Sequence, residues 1–197
     1  MVGEHFALTF LSKTDRLNLP NRNKGGSFML HIYCGENKGK TTCAMGLAVR
    51  SAGHGNRVVI AQFLKGGNSG ERKIFSTLPN VTLLPVPETI KFIFTMTDEE
   101  KAQTRTETTS LFMQAAQLAK DCDLLVLDEL CGALSTDMLS LQDVLDFLDS
   151  CPESLEVVIT GRDPDPQLLE RADYVTEMKK IKHPFDQGLN ARKGVEW

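Results

Sequence analysis

The chain has 197 residues, of which 41% are hydrophobic and 24% are charged, and its formal net charge is −4. This length and composition are typical of one globular domain with a full core, and the acidic balance disfavours nucleic acid as a partner. No apolar run approaches the roughly 20 residues of a membrane helix and no secretory signal is evident, so we expect a cytoplasmic protein without a membrane partner.

Residues 1–26 are polar and end in NRNKGGS, which is typical of a flexible N-terminal arm. We therefore expect the folded domain to occupy residues 27–197. The five cysteines show neither CxxC spacing nor histidine pairing, which disfavours a disulfide framework or a zinc site. We expect them to be small core residues in a reducing cytosol.

From residue 28 onward, apolar runs alternate with helical segments. In chain order the sequence predicts strand FMLHIYC, helix KTTCAMGLAVRSAG, strand RVVIAQFL, loop KGGNSGER, strand VTLLPVP, helix DEEKAQTRTETTSLFMQAAQLAK, strand CDLLVLDEL, helix SLQDVLDFLDS, strand LEVVITG, helix PQLLERA and strand YVTEM. Buried strands alternating with helices predict an α/β fold of the P-loop NTPase (RecA-like) class. Its sheet should be mostly parallel, with helices on both faces.

The first strand and helix are joined by a loop that resembles the phosphate-binding pattern GxxxxGK[ST]. Gly39, Lys40 and Thr41 occupy its last three positions. The first glycine should stand where Cys34 is, but it stands one place later, at Gly35. The loop is thus one residue shorter than the usual one.

The shorter loop keeps the chemistry of anion binding. Backbone N–H groups of residues 36–41 can form an anion nest at a helix N-terminus, and Lys40 can place a charge on phosphate oxygens. Thr41 or Thr42 can offer a hydroxyl to Mg²⁺. The alternative is an ordinary glycine turn that opens a helix.

A second feature is the apolar run LLVLDE, which ends in Asp128 and Glu129. Carboxylates at the end of a buried strand are the expected magnesium-side partner of a phosphate loop. Acidic residues also end many strands without function, so the pattern gains weight only beside the loop.

Seven segments resemble, in content and in order, the ATP:corrinoid adenosyltransferases of the cobalamin pathway: GENKGKTT, AVRSAGHG, VVIAQFLKGGNSGER, LLVLDEL, VVITGRD, ADYVTEM and IKHPFDQGLNARKGVEW. The resemblance covers about residues 28–197, and the short loop belongs to the family pattern. It implies that cobalt(I) of a corrinoid attacks the ribose 5′ carbon of ATP, so that triphosphate leaves. Such a reaction needs no protein nucleophile and no general base, only orientation and charge neutralisation.

The resemblance also implies a set of site residues. The triphosphate-binding set is Gly35, Asn37, Lys38, Gly39, Lys40, Thr41 and Thr42. Lys40, Thr41 and Glu129 are the expected catalytic residues. Thr41 and Glu129 are the expected ligands of Mg²⁺ (or Mn²⁺), with Asp128 close by or hydrogen-bonded to a ligand. Lys38 is alternatively a solvated loop charge.

Three further cations, Arg50, Lys65 and Arg162, match family positions and are expected to contact the nucleotide. Arg50 could instead decorate a helix surface. Phe92 and Phe94, in TIKFIFTMTD, are expected to pack against the lower corrinoid face, where the family usually has phenylalanine and then tryptophan. The alternative for this apolar segment is a hydrophobic plug against the core.

The resemblance finally implies partners. These are ATP, a corrinoid (cobalamin, cobinamide or cobyrinic acid diamide), an electron donor such as a flavodoxin or flavoprotein reductase, and a second copy of the chain in a homodimer. The competing hypotheses are a RecA-like ATPase or small-molecule kinase, and a nucleotide-binding regulator without turnover.

Overall fold

The computed structural model describes residues 28–196, so the predicted arm lies outside the described residues. Six parallel strands form one sheet: β1 (Met29–Cys34), β2 (Val58–Gln62), β3 (Val81–Leu83), β4 (Leu124–Asp128), β5 (Glu156–Thr160) and β6 (Tyr174–Glu177). Their order across the sheet is β3-β2-β4-β5-β1-β6. The α/β fold with a parallel sheet is therefore confirmed.

The helices are α1 (Lys40–Gly53), α2 (Gly70–Phe75), α3 (Asp98–Leu118), α4 (Leu130–Ser135), α5 (Leu141–Asp149) and α6 (Pro166–Arg171). Short 3-10 turns lie at Ile93–Thr95, Ala119–Asp121 and Pro184–Gln187. Ser140 caps the N-terminus of α5, because the Asp143 N–H donates to Ser140 Oγ. None of the described helices is long and apolar enough to cross a membrane.

Helices cover both faces of the sheet, as predicted. On one face, α1 and α2 contribute residues such as Ala48 and Phe75, which pack with Ile60 of β2. On the other face, residues of α3 to α6, including Phe112, pack with Leu127 of β4. Successive strand residues point to opposite faces, so each strand feeds both cores.

The cysteine prediction is confirmed for Cys34, Cys122 and Cys131, which are buried free thiols. It is wrong for Cys43, which is exposed, and Cys151 is half-buried. Cys43 is exposed because it lies on α1 next to Thr42, on the side away from the buried residues Ala44 and Ala48.

The carboxyl ends of all six strands meet at one edge of the sheet, where ligands bind in open α/β folds. The phosphate loop follows β1, Lys65 lies shortly after β2, Glu129 follows β4 and Arg162 lies shortly after β5. Strand β5 lies between β1 and β4. A residue at the end of β5 can therefore contact both the loop side and the Asp128 side of the site.

Candidate active site

The loop between β1 and α1 depends on its two glycines. Gly35 has φ 104° and Gly39 has φ 120°, both in the region that side chains rarely adopt. A Cβ on Gly35 would also lie 2.7 Å from the backbone oxygen of Met178, just beyond β6. The one-residue shift of the first glycine thus places it where β6 approaches the loop most closely.

Lys40 folds back over this loop. Its Nζ donates to the backbone oxygens of Gly35 at 2.7 Å and Asn37 at 3.0 Å. Burial lowers the pKa of the Lys40 ammonium, while the nearby Glu129 carboxylate opposes that shift. The side chain Oδ1 of Asn37 is buried and has no hydrogen-bond partner within residues 28–196, so this loop offers an unused acceptor.

Asp128 is the most buried charged residue of the site, with no exposed surface. Four donors reach its carboxylate: Thr41 Oγ1 at 2.9 Å and Thr160 Oγ1 at 2.7 Å on Oδ1, with Gln62 Nε2 at 3.1 Å and Lys65 Nζ at 2.6 Å on Oδ2. These bonds engage both oxygens of the carboxylate, as burial of a charge requires. A metal ion would have to displace one of the donors in order to bind Asp128 directly.

Glu129 differs from Asp128 in backbone and surroundings. It adopts a left-handed conformation with φ 63°, and its N–H donates to Thr160 Oγ1 at 2.9 Å. Burial and the neighbouring Asp128 charge raise the pKa of the Glu129 carboxyl, against the opposing effect of Lys65. A half-buried carboxyl on a backbone of positive φ is typical of functional sites.

The donor set fits a hard divalent cation. The part of the chain that the structure describes holds no group of three or more His, Cys, Asp or Glu side chains suited to a metal. The Thr41 hydroxyl and the Glu129 carboxylate are nevertheless oxygen ligands of the kind that Mg²⁺ prefers beside phosphate oxygens and water. Asp128, saturated by donors, is suited to orient the Thr41 hydroxyl.

Two adjoining cavities border the loop. One, of about 300 Å³, is lined by residues 36–42, Glu129, Arg162, His183, Val195 and Glu196. The other, of about 620 Å³, runs from Thr41, Thr42 and Met45 past Lys65 to residues 68–71 and Ile74, with residues 194–196 on one side. Together they bring the predicted loop residues other than Gly35 into one cleft with Lys65, Glu129 and Arg162.

Arg50 is not brought to this cleft. It lies in the last turn of α1 and is exposed. Ten residues separate it from Lys40, which is about 15 Å along a helix. Its contact with the nucleotide stays a prediction that no arrangement of the described residues supports.

A third cavity, of about 520 Å³, lies between the segment that follows β3 and helix α3. Its lining includes residues 62–65, residues 85–87 and Ile90 on one side and residues of α3 on the other. Lys65 borders both this cavity and the one beside Thr41. The two spaces therefore meet at a single side chain.

Phe92 and Phe94 lie farther along the same segment and point outward, 74% and 83% exposed. Their rings stack, with centroids 5.4 Å apart and planes 15° apart. Ile93, between them, packs against the core. Ile93 therefore acts as the hydrophobic plug, and the two phenylalanines form an exposed aromatic surface whose contact with a corrinoid stays a prediction.

Sequence reasoning missed Gln62 and Thr160, which contact Asp128 directly. Arg72 Nη1 donates to Gln62 Oε1 at 2.9 Å, which turns the amide nitrogen of Gln62 toward Asp128. The signal available was a glutamine inside an otherwise apolar strand, VVIAQ. Glu71 and Arg72, predicted to lie in the loop KGGNSGER, lie in α2, and both contact Gln62.

Comparison with known proteins gives one family and several relatives. The model of the family ATP:corrinoid adenosyltransferase BtuR/CobO/CobP matches residues 27–197. A corrinoid adenosyltransferase of Pseudomonas aeruginosa is 38% identical over 172 residues, which cover 86% of this chain and 83% of the relative. Corrinoid adenosyltransferases of Escherichia coli K12 and Salmonella typhimurium LT2 are 34% and 33% identical over 169 residues, which cover 84% of this chain and 84% of each relative.

Proposed function

The chain belongs to the ATP:corrinoid adenosyltransferase family, and from this membership we propose that it transfers the 5′-deoxyadenosyl group of ATP to cobalt(I) of a corrinoid, releasing triphosphate. One observation carries the proposal: Lys65 borders both the cavity beside Thr41 and the cavity between the β3 segment and α3. A nucleotide and a second, larger substrate can therefore meet at one side chain. An ATPase would need only the first of these spaces.

The leaving group is triphosphate, and the phosphate cleft holds it by charge. Lys38, Lys40 and Arg162 line this cleft, and α1, which begins at Lys40, has no side-chain cap on its first N–H groups, a position that favours anions. Negative charge grows on the bridging oxygen as the bond from the ribose carbon to oxygen breaks. Cations already in position stabilise that charge without reorganisation, so they raise the rate of transfer.

Thr41 and Glu129 would hold Mg²⁺ or Mn²⁺, which would supply further positive charge to the triphosphate oxygens. Asp128 accepts the Thr41 hydroxyl hydrogen and thereby aims the oxygen lone pairs of Thr41 away from itself, toward the cleft. Thr160 fixes both acidic residues, because its hydroxyl donates to Asp128 and accepts from the Glu129 N–H. The chain thus positions its two oxygen ligands through the ends of two neighbouring strands, β4 and β5.

Phe92 and Phe94 would lie against the lower face of the corrinoid. Their exposed, stacked rings support this role, because a flat apolar macrocycle gains contact with such a surface without unfolding the segment. Displacement of the lower axial ligand by these rings would leave cobalt(II) four-coordinate and easier to reduce. The electron would come from a flavodoxin or flavoprotein reductase, in the cytoplasm, with the protein as a homodimer.

The test is product analysis with purified protein, ATP, Mg²⁺ and a strongly reduced corrinoid. We expect a light-sensitive adenosylcorrinoid and one inorganic triphosphate for each adenosyl group transferred. Without a cobalt–carbon bond, ADP and phosphate would instead identify an ATPase, and ADP with a phosphorylated acceptor would identify a kinase. Tight ATP binding without either product would identify a regulator.

A further inference from the structure

Residues 192–196 form a turn beside the phosphate loop. The N–H groups of Val195 and Glu196 donate to the backbone oxygen of Arg192 at 3.2 and 3.0 Å, and Gly194 takes a left-handed φ of 76°. The Glu196 carboxylate closes the turn, because it accepts from the Arg192 backbone N–H at 2.8 Å and from Arg192 Nη2 at 2.9 Å. The carboxylate is therefore held in one place.

Lys38 joins this turn to the loop. Its Nζ donates to the backbone oxygen of Val195 at 2.6 Å and lies 3.3 Å from Glu196 Oε1. Val195 and Glu196 line the same cavity as residues 36–42, which include Lys40. Hydrogen bonds from Arg192, and then from Lys38, lower the pKa of Glu196 to about 2. An ionised carboxylate thus borders the space in which the proposed function places the triphosphate.

A carboxylate and a triphosphate can each bind the Lys38 ammonium, since both are anions. We infer that Glu196 competes with the triphosphate for Lys38 and so weakens the affinity of the cleft for triphosphate. The inference rests on the proposed function, which places the triphosphate in this cavity. Glu36 and Glu129 also line the cavity, but within residues 28–196 the carboxylate that contacts Lys38 is that of Glu196.

The competition serves product release. Triphosphate carries several negative charges, and the cleft offers it Lys38, Lys40 and Arg162 together. A cleft that binds this anion tightly during the reaction would also release it slowly afterwards. A carboxylate tethered beside Lys38 acts at an effective concentration of about millimolar, so it replaces the product without help from solution. Glu196 thereby shortens the residence time of triphosphate in the cleft.

The test is the binding of inorganic triphosphate, with Mg²⁺, to the full chain by titration calorimetry. Replacement Glu196→Gln removes the charge and keeps an oxygen that can accept from Arg192. We expect triphosphate to bind about three- to tenfold more tightly, the effect of one nearby like charge in a water-accessible cleft. Adenosine, which lacks phosphates, should bind with unchanged affinity, whereas a turn that had simply loosened would alter both.

Two further variants sharpen the result. Glu153→Gln removes an exposed carboxylate in the connection before β5 and should leave triphosphate binding unchanged. In a Lys38→Met background, the gain from Glu196→Gln should shrink, because the contested ammonium is gone. Triphosphate affinity that is unchanged or weaker in Glu196→Gln, or an equal gain in the Lys38→Met background, overturns the inference. These measurements need no corrinoid, so failure of adenosyl transfer itself would be seen separately in the product assay.

Discussion

The ammonium of Lys65 lies 2.6 Å from Asp128 Oδ2 and 2.9 Å from Thr41 Oγ1. It thus joins the loop after β2 to the end of β4 and to the first turn of α1. Asp128 has no exposed surface, whereas the Lys65 side chain is 26% exposed toward the cleft. One cation therefore compensates a buried charge and also faces both proposed substrate cavities.

Replacement of Lys65 by methionine should destabilise the fold and reduce adenosyl transfer. Loss of one partner of a buried ion pair costs about 3–5 kcal/mol; here we expect about 2–3 kcal/mol, because Lys65 is partly exposed and three neutral donors remain on Asp128. Denaturant unfolding measures the change. Lys73→Met, on the exposed side of α2, is the matched control and should change the free energy of unfolding by less than about 0.5 kcal/mol. Equal effects of the two variants would contradict the role assigned to the pair.

Thr160 provides a second test, because its hydroxyl makes two bonds at the centre of the site. Replacement by valine keeps the shape but removes the donor to Asp128 and the acceptor for the Glu129 N–H. We expect the free energy of unfolding to fall by about 1–3 kcal/mol, the cost of leaving buried polar groups unpaired. Serine at this position keeps the hydroxyl and should retain most of the stability and of the Mg²⁺ affinity. A valine variant as stable as the serine variant would show that the two bonds matter little.

The residues of the site differ in whether the local sequence indicates their role. The phosphate loop and the strand end Asp128–Glu129 are each short continuous motifs, so each could be recognised from the local sequence. Gln62 and Thr160 act through contacts across 66 and 32 residues of sequence. Those contacts depend on β4 lying between β2 and β5, and strand order leaves no local mark on a sequence.

Short helices and long-range contacts account for the other features that the sequence patterns did not predict. Helices α2 and α4 have six residues each, less than two turns, so they show no helical period. Helix α6 is equally short, but it begins with Pro166, a residue typical of the first helical turn. The 21 residues of α3 were predictable from their acidic start and length, and Thr97 and Glu100 form the capping box that begins it. The contact of Lys38 with Glu196 spans 158 residues, and no sequence pattern near either residue indicates it.

Glu129 gives a prediction that depends on pH. Its pKa is raised above the ordinary 4.5 by burial and by Asp128, so the folded protein holds this proton more tightly than the unfolded chain does. Stability from this group is therefore present at low pH and is lost as the pH rises through the raised value. Replacement by glutamine should raise the melting temperature relative to the wild type at about pH 8, with a difference that narrows toward about pH 5.

The same replacement should weaken Mg²⁺-dependent ATP binding, because the neutral amide oxygen is a weaker ligand of a hard cation than a carboxylate oxygen. Calorimetry with and without Mg²⁺ measures this loss. A variant that is less stable than the wild type at about pH 8 would contradict the raised pKa. A variant whose ATP binding keeps its full dependence on Mg²⁺ would remove Glu129 from the proposed ligands. Stability at about pH 8 thus tests the raised pKa of Glu129, and the Mg²⁺ dependence of ATP binding tests its role as a metal ligand.

Replacement of Phe92 and Phe94 should impair adenosyl transfer while leaving the stability of the fold nearly unchanged. Both rings are mostly exposed and stack on each other, so replacing both by alanine should change the free energy of unfolding by less than about 0.5 kcal/mol. Two lost aromatic contacts with a corrinoid are worth about 1–3 kcal/mol, so transfer should slow about tenfold or more. The spectrum of cobalt(II) corrinoid with protein and ATP should lose its four-coordinate signature. Met113→Ala, at an exposed position of α3, is the control and should keep that signature.

Phe94→Trp is the gain-of-contact counterpart of this variant. A larger ring at an exposed position meets no core residue, so we expect the fold to accept it without loss of stability. The added surface should cover more of the lower corrinoid face and displace the axial ligand from a larger fraction of the bound corrinoid. The four-coordinate signal should therefore increase at saturating corrinoid, with ATP affinity unchanged. If neither the alanine nor the tryptophan variant alters the signal, the two phenylalanines do not face the corrinoid, and the cavity between the β3 segment and α3 must seat it without them.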